Sequence, residues 1–514
     1  MVSWVKSCTL KGMDTEIIYT ECDIGRGLPA LNIVGLPDTA VRESKERLRA
    51  AVVNSGLVFP LSKRITVNLS PADTKKEGTH LDLAIALSLL ACDCGKAAPH
   101  VREAVIVGEL SLDGRVNPVK NILPITIGLR DKRIKSMVIP ADNLDEVTIV
   151  EGIEYYPVHS LSEAFEFFIG EREIKPVRGE KPALEENPAE WEEDFSEVKG
   201  NTEAKRAVEI SVSGFHHLLL TGPPGCGKSM LAGRIYTVMP ELDYEEMLEV
   251  TRLYGISGDD SRRGRLMYRR PFRSPAANVS SSAMLGGGSG MPKPGEVTLA
   301  HRGVLFMDEM PEFRRDVLEA LRQPLEEGHV SISRAAGKVT YPCRFILVGA
   351  RNPCPCGYLN DPEHRCSCSP LQIKRYREKL SGPITDRIDL FVDFARVYSP
   401  DSGKYSLNSG GERSSFEMKQ TIEAARIIQK KRYSGEKIMY NSQLKGKLLE
   451  KYCRLKGDAE DLYSEGCERL KISRRGADKV LRVARTIADM EQKENIEMHH
   501  MAEAFQFRSR NSEY

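Results

Sequence analysis

The chain has 514 residues, too many for a single hydrophobic core, so about two to four domains are expected. Its net charge of +1 indicates no particular partner, and any contact with nucleic acid must come from local basic patches. Twelve cysteines without an apolar secretory signal indicate a reducing, cytoplasmic location with thiols that are free or bind metal, and no apolar run reaches transmembrane length.

Residues 1 to about 170 alternate between strand-like and helix-like segments. Strands are predicted at 64–70 (RITVNLS) and 103–112 (EAVIVGELSL), and helices at 38–56 (DTAVRESKERLRAAVVNSG) and 81–93 (LDLAIALSLLACD). The charged, proline-containing segment 171–194 lacks periodicity and is typical of a linker, so a second domain is expected from about residue 195.

An apolar run at 218–221 leads into a glycine-rich turn and then into a helical pattern. The turn matches the phosphate-binding motif G-x-x-x-x-G-K-[ST] in full, with Gly222, Pro223, Pro224, Gly225, Cys226, Gly227, Lys228 and Ser229. Backbone N–H groups of such a loop surround phosphate oxygens, the lysine reaches the β- and γ-phosphates, and the serine hydroxyl binds Mg²⁺. The motif therefore predicts binding of ATP with Mg²⁺.

Six arginines are concentrated between residues 261 and 275, among them Arg269, Arg270 and Arg273. Further along, 329–342 (HVSISRAAGKVTYP) alternates around a centre of small residues, which predicts a β-hairpin with Arg334 and Lys338 beside its tip. Basic loops that face one channel would bind phosphates of a nucleic acid without reading its sequence. A solvated basic surface or a subunit interface is the alternative.

Two further apolar runs predict strands that end in polar residues. The run at 303–309 (GVLFMDE) places Asp308 to bind Mg²⁺ and Glu309 to polarise the attacking water. The run at 344–350 (RFILVGA) is followed by Asn352, which would orient the same water or else be a turn residue before proline.

Four cysteines follow as two C-x-C pairs, Cys354 with Cys356 and Cys366 with Cys368. Four thiolates in a short loop can close tetrahedrally on a structural Zn²⁺, with His364 as a substitute ligand. Free thiols are the alternative, since structural zinc sites more often use C-x₂-C.

The last part of the chain offers two arginines to the nucleotide. Arg387 lies between two aspartates before a predicted strand, either as an ordinary ion-pair partner or, in a ring, as an arginine finger for the neighbouring subunit. Beyond 399–415 the chain reads as largely helical. One helix is expected to begin after Ser473 as its N-cap, with Arg475 in its first turn folding over the nucleotide or lying on a solvated basic face.

The motifs together identify the chain as a member of a family: it resembles the bacterial magnesium-chelatase-like AAA+ ATPases known as the ComM or YifB family. The resemblance covers nearly the whole chain and rests on long motifs, including VNLSPADTKKEG, VGELSLDGRV, GPPGCGKSMLA, RPFRSP, NPCPCGY, LSGPITDRID and VARTIAD. It implies an α/β protein with a Lon-protease-like (ribosomal S5 domain 2-like) amino-terminal domain at 1–170, a P-loop AAA+ module with a parallel sheet at 195–397, and a carboxy-terminal helical lid at 398–514.

The resemblance also implies an activity. Members of this family are thought to form hexameric rings that translocate on DNA, with helicase-driven branch migration during natural transformation as the best-described role. It assigns the finger to Arg387 and the lid sensor to Arg475. Two other functions remain open: a chelatase-type ATPase that remodels a protein partner for metal insertion, and a non-proteolytic scaffold or protease regulator built on the Lon-like domain.

The sequence departs from the expected patterns at two places. In KKEGTHLDL, Thr79 and His80 stand where a Lon-type protease has proline and its nucleophilic serine, so the domain is expected to be non-proteolytic. After RPFRSP, Ala276 and Ala277 replace two histidines that are usual in the family, which weakens any assignment of DNA contacts there.

Overall fold

The computed structural model describes residues 2–60, 62–95, 103–182, 193–258, 265–288, 290–334, 337–361, 364–380, 382–394 and 413–509. The chain forms two compact units. The first contains Met1–Glu185 and Tyr244–Met267, and the second contains Glu186–Asp243 and Tyr268–Tyr514. Among the helices described, none combines the length and apolar character needed to cross a bilayer.

The first unit is built on a mixed eight-stranded sheet with the order β10-β9-β8-β5-β1-β2-β4-β3, beside a small β6–β7 ribbon. Its strands are β1 (Val2–Lys11), β2 (Asp14–Gly25), β3 (Ala30–Val34), β4 (Arg64–Ser70), β5 (Val105–Ile106), β6 (Glu109–Leu110), β7 (Val116–Asn117), β8 (Ser136–Pro140), β9 (Glu154–Val158) and β10 (Val177–Arg178). The strand predicted at 64–70 is confirmed, and the run at 103–112 contains two short strands. The edge strand β10 lies within the segment interpreted as a linker, of which 183–192 is outside the described residues.

Helices cover this sheet: α1 (Thr39–Asn54), α2 (Asp82–Cys94), α3 (Ile122–Asp131), α4 (Leu144–Val147) and α5 (Leu161–Ile169). The helices predicted at 38–56 and 81–93 are confirmed as α1 and α2. The residues of α2 from Asp82 to Cys92 are all buried, as expected for a helix that is apolar on every face. This helix therefore forms the centre of the amino-terminal core.

A helix from the middle of the chain also belongs to the first unit. This helix, α8 (Tyr244–Ser257), begins six residues after the end of the helix that follows the phosphate loop, within the range 195–397 assigned to the ATPase module. The guanidinium of Arg252 donates to Asp131 at 3.0 Å, and the Tyr244 hydroxyl donates to the carbonyl of Ile149 at 2.9 Å. These polar contacts hold the helix to the amino-terminal unit.

The second unit contains a parallel five-stranded sheet with the order β12-β15-β18-β11-β19 and two antiparallel ribbons, β13–β14 and β16–β17. The strands are β11 (Leu218–Thr221), β12 (Phe272–Arg273), β13 (Gly286–Gly287), β14 (Lys293–Pro294), β15 (Val304–Met307), β16 (His329–Arg334), β17 (Gly337–Pro342), β18 (Ile346–Arg351) and β19 (Leu390–Asp393). The central strands β11 and β15 are buried at every position, which is why they read as continuous apolar runs.

The helices of the second unit before its lid are α6 (Thr202–Gly214), α7 (Lys228–Val238), α9 (Ser281–Leu285), α10 (Glu296–Leu299), α11 (Arg315–Ala320), α12 (Arg322–Glu327), α13 (Pro370–Glu378) and α14 (Gly382–Thr385). The lid contains α15 (Ser415–Arg432), α16 (Lys447–Tyr452), α17 (Asp458–Arg469), α18 (Arg474–Met490) and α19 (Met498–Ser509). Residues of the sheet and of the lid share one hydrophobic core, so the lid packs directly on the ATPase module. The predicted helical character of the carboxy-terminal region is confirmed over 413–509.

Candidate nucleotide site and its surroundings

The phosphate loop connects the carboxyl end of β11 to the first turn of α7. Gly225 and Gly227 have φ angles of +74° and +99°, a region that residues with side chains rarely adopt. At Gly222 a Cβ would lie 2.5 Å from the carbonyl oxygen of Phe394. The loop path therefore requires these three glycines, and it ends at a helix amino terminus, where backbone N–H groups favour an anion.

Lys228 joins the loop to the neighbouring strand. Its Nζ donates to the carbonyl oxygens of Gly222 at 2.7 Å and Pro223 at 2.8 Å, and to Oδ1 of Asn352 at 3.3 Å. Asn352 directly follows β18, which pairs with β11. The structure thus brings the predicted lysine and the predicted asparagine together at the carboxyl edge of the sheet, where ligands of parallel sheets bind.

The oxygen atoms expected to bind magnesium also meet at this edge. The Ser229 hydroxyl donates to Oδ2 of Asp308 at 2.7 Å, and Asp308 directly follows β15. Hydroxyl, carboxylate and phosphate oxygens are the hard ligands that Mg²⁺ prefers. This donor set therefore fits the Mg²⁺ that accompanies ATP.

Glu309 has an unusual backbone conformation for a residue with a side chain. Its φ and ψ are +48° and +44°, and its N–H donates to Oδ1 of Asp308 at 2.9 Å. A left-handed conformation of this kind costs roughly 1–3 kcal/mol and is found mostly at functional sites. The exposed Glu309 carboxylate is thereby directed away from the buried strand, while Asp308 remains beside Ser229.

Arg387 lies at the opposite end of the sheet from the phosphate loop. Because β11 and β19 are parallel and Leu218 lies opposite Leu390, the segment before β19 cannot be near the loop after β11. Arg387 donates to Oε2 of Glu326 at 2.7 Å, and this hydrogen bond lowers the pKa of the Glu326 carboxyl. The predicted finger is thus held by an acid that sequence reasoning missed, since no local motif marks Glu326.

Arg387 and Arg475 line one cavity of about 600 Å³. Both arginines, together with Lys445, lower the pKa of Glu326, after the dominant hydrogen bond from Arg387. Arg475 lies with Arg387 at the amino-terminal edge of the sheet, away from the phosphate loop of its own chain. Its predicted role, folding over the nucleotide, stays a prediction.

A buried ion pair explains this position of Arg475. One turn further along α18, Lys479 donates to Oδ1 of Asp389 at 2.8 Å, and both side chains are buried. Burial raises the pKa of Asp389, but the charge of Lys479 together with the hydrogen bond and charge of His216 and the charge of His217 outweighs burial and holds this pKa well below its usual range. Since Asp389 is two residues from Arg387, the pair fixes the first turn of α18 beside Arg387. Ser473 caps this helix, as predicted, by accepting from the N–H of Gly476.

The four cysteines come together in space. Sγ of Cys354 lies 3.4 Å from Sγ of Cys356 and 3.7 Å from Sγ of Cys366, and Cys356 and Cys366 are 3.6 Å apart. The N–H of Cys356 donates to Sγ of Cys368, and all four sulfur atoms lie within 4.8 Å of one another. A backbone hydrogen bond from Tyr358 lowers the pKa of Cys356 to about 6, which favours a thiolate at neutral pH.

His364 has other contacts. Its N–H donates to Oδ1 of Asp361 at 2.8 Å, its Nδ1 lies 3.2 Å from the same oxygen, and its ring stacks on Tyr358. The group of metal-ligating side chains found in this loop contains the four cysteines without His364.

Two of the predicted DNA-binding arginines have internal partners. Arg270 donates to the carbonyl oxygens of Pro240, Arg302 and Glu241, and Arg273 forms a two-pronged ion pair with Glu296 at 2.7 and 2.8 Å. Both guanidinium groups thus stabilise the fold around β12. Arg269 is exposed, and 259–264 is outside the described residues.

The predicted hairpin at 329–342 is confirmed as β16 and β17, with Arg334 paired to Gly337. Arg334 and Lys338 are exposed near its tip. The hairpin packs beside the β13–β14 ribbon, because the Tyr341 hydroxyl donates to the carbonyl of Pro292 at 2.6 Å. The two ribbons are therefore adjacent, and the β16–β17 hairpin carries exposed basic side chains near its tip.

In the amino-terminal unit, the two residues that replace the Lon-type motif are engaged in the fold. The Thr79 hydroxyl donates to Glu109, and Nε2 of His80 lies 2.8 Å from the carbonyl oxygen of Cys8. Burial lowers the pKa of His80, so its imidazole is neutral at pH 7. Both side chains connect α2 and its preceding turn to neighbouring strands.

Comparisons with known proteins match three segments of the chain to one family. The model described as magnesium chelatase, subunit ChlI, matches residues 194–401, that of subunit ChlI of Mg-chelatase matches 20–143, and that of the ChlI carboxy-terminal region matches 412–508. The matched segments cover both compact units and the lid.

Full-length relatives were also found. The chain is 39% identical to the uncharacterized protein YifB of Escherichia coli K12, over 97% of this chain and 95% of YifB. It is 36% identical to the competence protein ComM of Haemophilus influenzae, over 97% of this chain and 96% of ComM. A shorter similarity, 28% identity over 30% of this chain and 16% of the relative, connects it to a mitochondrial Lon protease homologue of Oryza sativa subsp. indica.

Proposed function

The chain belongs to the magnesium-chelatase-like AAA+ ATPases of the ComM/YifB family, and we propose that it forms a ring of six copies, as the family resemblance implies, that couples ATP hydrolysis to movement along DNA. The observation that carries this proposal is the separation of Arg387 from the phosphate loop within one chain. A finger that cannot reach its own nucleotide serves the nucleotide of a neighbour.

Each residue of the site has a different role in ATP hydrolysis. Lys228 and the loop N–H groups would hold the phosphates, and Ser229 with Asp308 would hold the Mg²⁺ that neutralises their charge. Glu309 and Asn352 would orient and polarise the attacking water. Arg387 of the next subunit would complete the charge stabilisation of the transferred phosphoryl group, so hydrolysis depends on contact between subunits.

Support for a DNA substrate comes from the two packed ribbons. Arg334, Lys338 and Arg269 are exposed basic residues of the second unit, in a protein whose net charge is only +1. The name of the ComM relative, a competence protein, agrees with DNA as the substrate. We propose single-stranded or branched DNA, with branch migration in recombination or natural transformation as the activity.

The cysteine cluster supports a structural zinc. Tetrahedral Zn²⁺ with Zn–S bonds of about 2.3 Å places its sulfur ligands about 3.8 Å apart, close to the 3.4–3.7 Å measured between Cys354, Cys356 and Cys366. A disulfide would require sulfur atoms at about 2.05 Å. We propose that the four cysteines hold one zinc ion.

The test of the main proposal is the ATPase rate of the full chain, alone and with single-stranded DNA, a branched DNA junction and an unrelated protein. The control is Lys228→Ala, which removes the phosphate contact. We expect hydrolysis that is abolished in the control and stimulated by DNA. Hydrolysis without any effect of DNA would favour a chelatase-type remodeller, and the absence of hydrolysis would favour a scaffold.

A further inference from the structure

The loop that carries the four cysteines lies against the phosphate-binding loop. At Gly357, between the second cysteine and Tyr358, an added Cβ would lie 2.5 Å from Cδ and 3.0 Å from Cγ of Pro224. Pro224 is in the middle of the phosphate-binding motif. The backbone of the cysteine loop at Gly357 therefore lies against the ring of Pro224 in the phosphate loop.

Both ends of the cysteine loop are also fixed at the catalytic edge of the sheet. Cys354 is two residues after Asn352, whose side chain accepts from Lys228. Cys368 directly precedes Ser369, which caps α13, and Tyr376 of that helix lines one small cavity together with Asn352. A metal that joins the two C-x-C pairs would thus close a loop whose two ends meet at Asn352.

We propose that the thiolate-bound zinc supports the phosphate loop, so that metal occupancy of the cysteine cluster controls nucleotide binding and hydrolysis. This inference rests on the proposed ATPase activity. With zinc bound, Gly357 is held against Pro224 and Asn352 is held beside Lys228. Without zinc, no metal joins the two C-x-C pairs, and Pro224 loses its support.

The size of the expected loss of ATPase activity follows from the distance between Gly357 and Pro224. A methyl group at 357 must move Pro224 by about 1 Å to reach an ordinary separation, and misplacement of a catalytic group by about 1 Å can lower the rate by roughly 100-fold. Loss of zinc removes the contact altogether. We therefore expect a loss of about tenfold or more in kcat/KM for ATP in either case.

The first experiment uses the purified full chain. Zinc content is measured by atomic emission, and the ATPase rate is measured in excess Mg²⁺ before and after treatment with the zinc-selective chelator TPEN, and again after zinc is restored. We expect about one zinc per chain, a fall in kcat/KM on its removal and recovery on its return. Zinc-free protein with an unchanged rate, or protein isolated without zinc and with four reactive thiols, would overturn the inference.

The second experiment separates the contact from the metal. Gly357→Ala retains all four cysteines, and we expect it to retain zinc while it weakens binding of a fluorescent ATP analogue. Gly435→Ala is the matched control, because Gly435 has a similar φ of +90° but no atom within 4 Å of an added Cβ. Equal nucleotide affinity in the two variants would contradict the proposed support. If zinc-loaded wild-type protein hydrolyses ATP no faster than Lys228→Ala, the ATPase proposal itself fails.

Discussion

Arg387→Ala provides the most direct test of a ring mechanism. The four paired residues of β11 and β19 span three rises of about 3.3 Å, so they alone separate the two ends of these strands by about 10 Å, and further residues lie between each strand and the groups concerned. This distance is greater than the length of an arginine side chain. Arg387 of one chain therefore cannot complete the charge stabilisation at its own phosphate loop.

We expect Arg387→Ala to retain nucleotide binding and to hydrolyse ATP on the order of 10³-fold more slowly, as for loss of an arginine finger. Lys228→Ala should fail at the binding step instead. Each variant alone is therefore inactive, but for different reasons, and their nucleotide affinities measured by fluorescence titration should differ accordingly.

Mixing the two variants decides whether the arginine acts on a neighbour. In randomly mixed rings, about one quarter of the subunit junctions combine an intact phosphate loop with an intact finger, so up to about a quarter of the wild-type rate should return. The assay is phosphate release at a constant total protein concentration, with formation of mixed rings checked by two affinity tags. Mixed rings without any recovery would refute action in trans.

The remaining predictions concern other parts of the second unit. Arg475→Ala, which alters the same cavity, should be inactive alone and should recover ATPase activity when mixed with Lys228→Ala. The absence of recovery would indicate that Arg475 acts within its own chain. Glu309→Gln should bind ATP without hydrolysing it and should accumulate rings in gel filtration with ATP. The free energy of unfolding of Glu309→Gly should exceed that of Glu309→Ala by about 1 kcal/mol, because glycine tolerates the φ of +48°. Arg334→Ala combined with Lys338→Ala should lower the slope of log Kd for DNA against log salt by about 1–2, and an unchanged slope would exclude these side chains from phosphate contact. Burial lowers the pKa of His217 to about 4, below its unfolded value near 6.5, so the unfolded chain binds more protons than the folded chain between these two pH values. The free energy of unfolding should therefore fall by up to about 3 kcal/mol as the pH drops from about 6.5 to about 4. Urea titrations should show a smaller fall for His217→Gln.

Predictions from the sequence were most successful where one short segment contains all the information. The strand at 64–70 alternates between exposed and buried residues, and the structure confirms it as β4. The hairpin at 329–342 is confirmed because its turn and its alternation lie within 14 consecutive residues. The glycine-rich motif predicted a loop between a strand and a helix, which is where it lies.

Side chains were harder to assign where their partners are distant in sequence. Arg270 and Arg273 were predicted as DNA contacts from their local density, but backbone carbonyls about 30 residues away and Glu296 bind them instead. A basic residue has the same appearance in sequence whether it faces a phosphate or a buried carbonyl. Only the fold distinguishes the two environments.

The sequence by itself determined the chemistry at the carboxyl edge of the parallel sheet, because each residue there directly follows an apolar strand, and parallel strands end side by side. Only the tertiary structure decided three further points: that Arg475 lies with Arg387, that α8 belongs to the amino-terminal unit, and that Gly357 lies against Pro224. Each of these depends on contacts between segments about 90 or more residues apart. Such contacts arise from packing and from buried ion pairs such as Lys479 with Asp389, which leave no periodic pattern in the sequence.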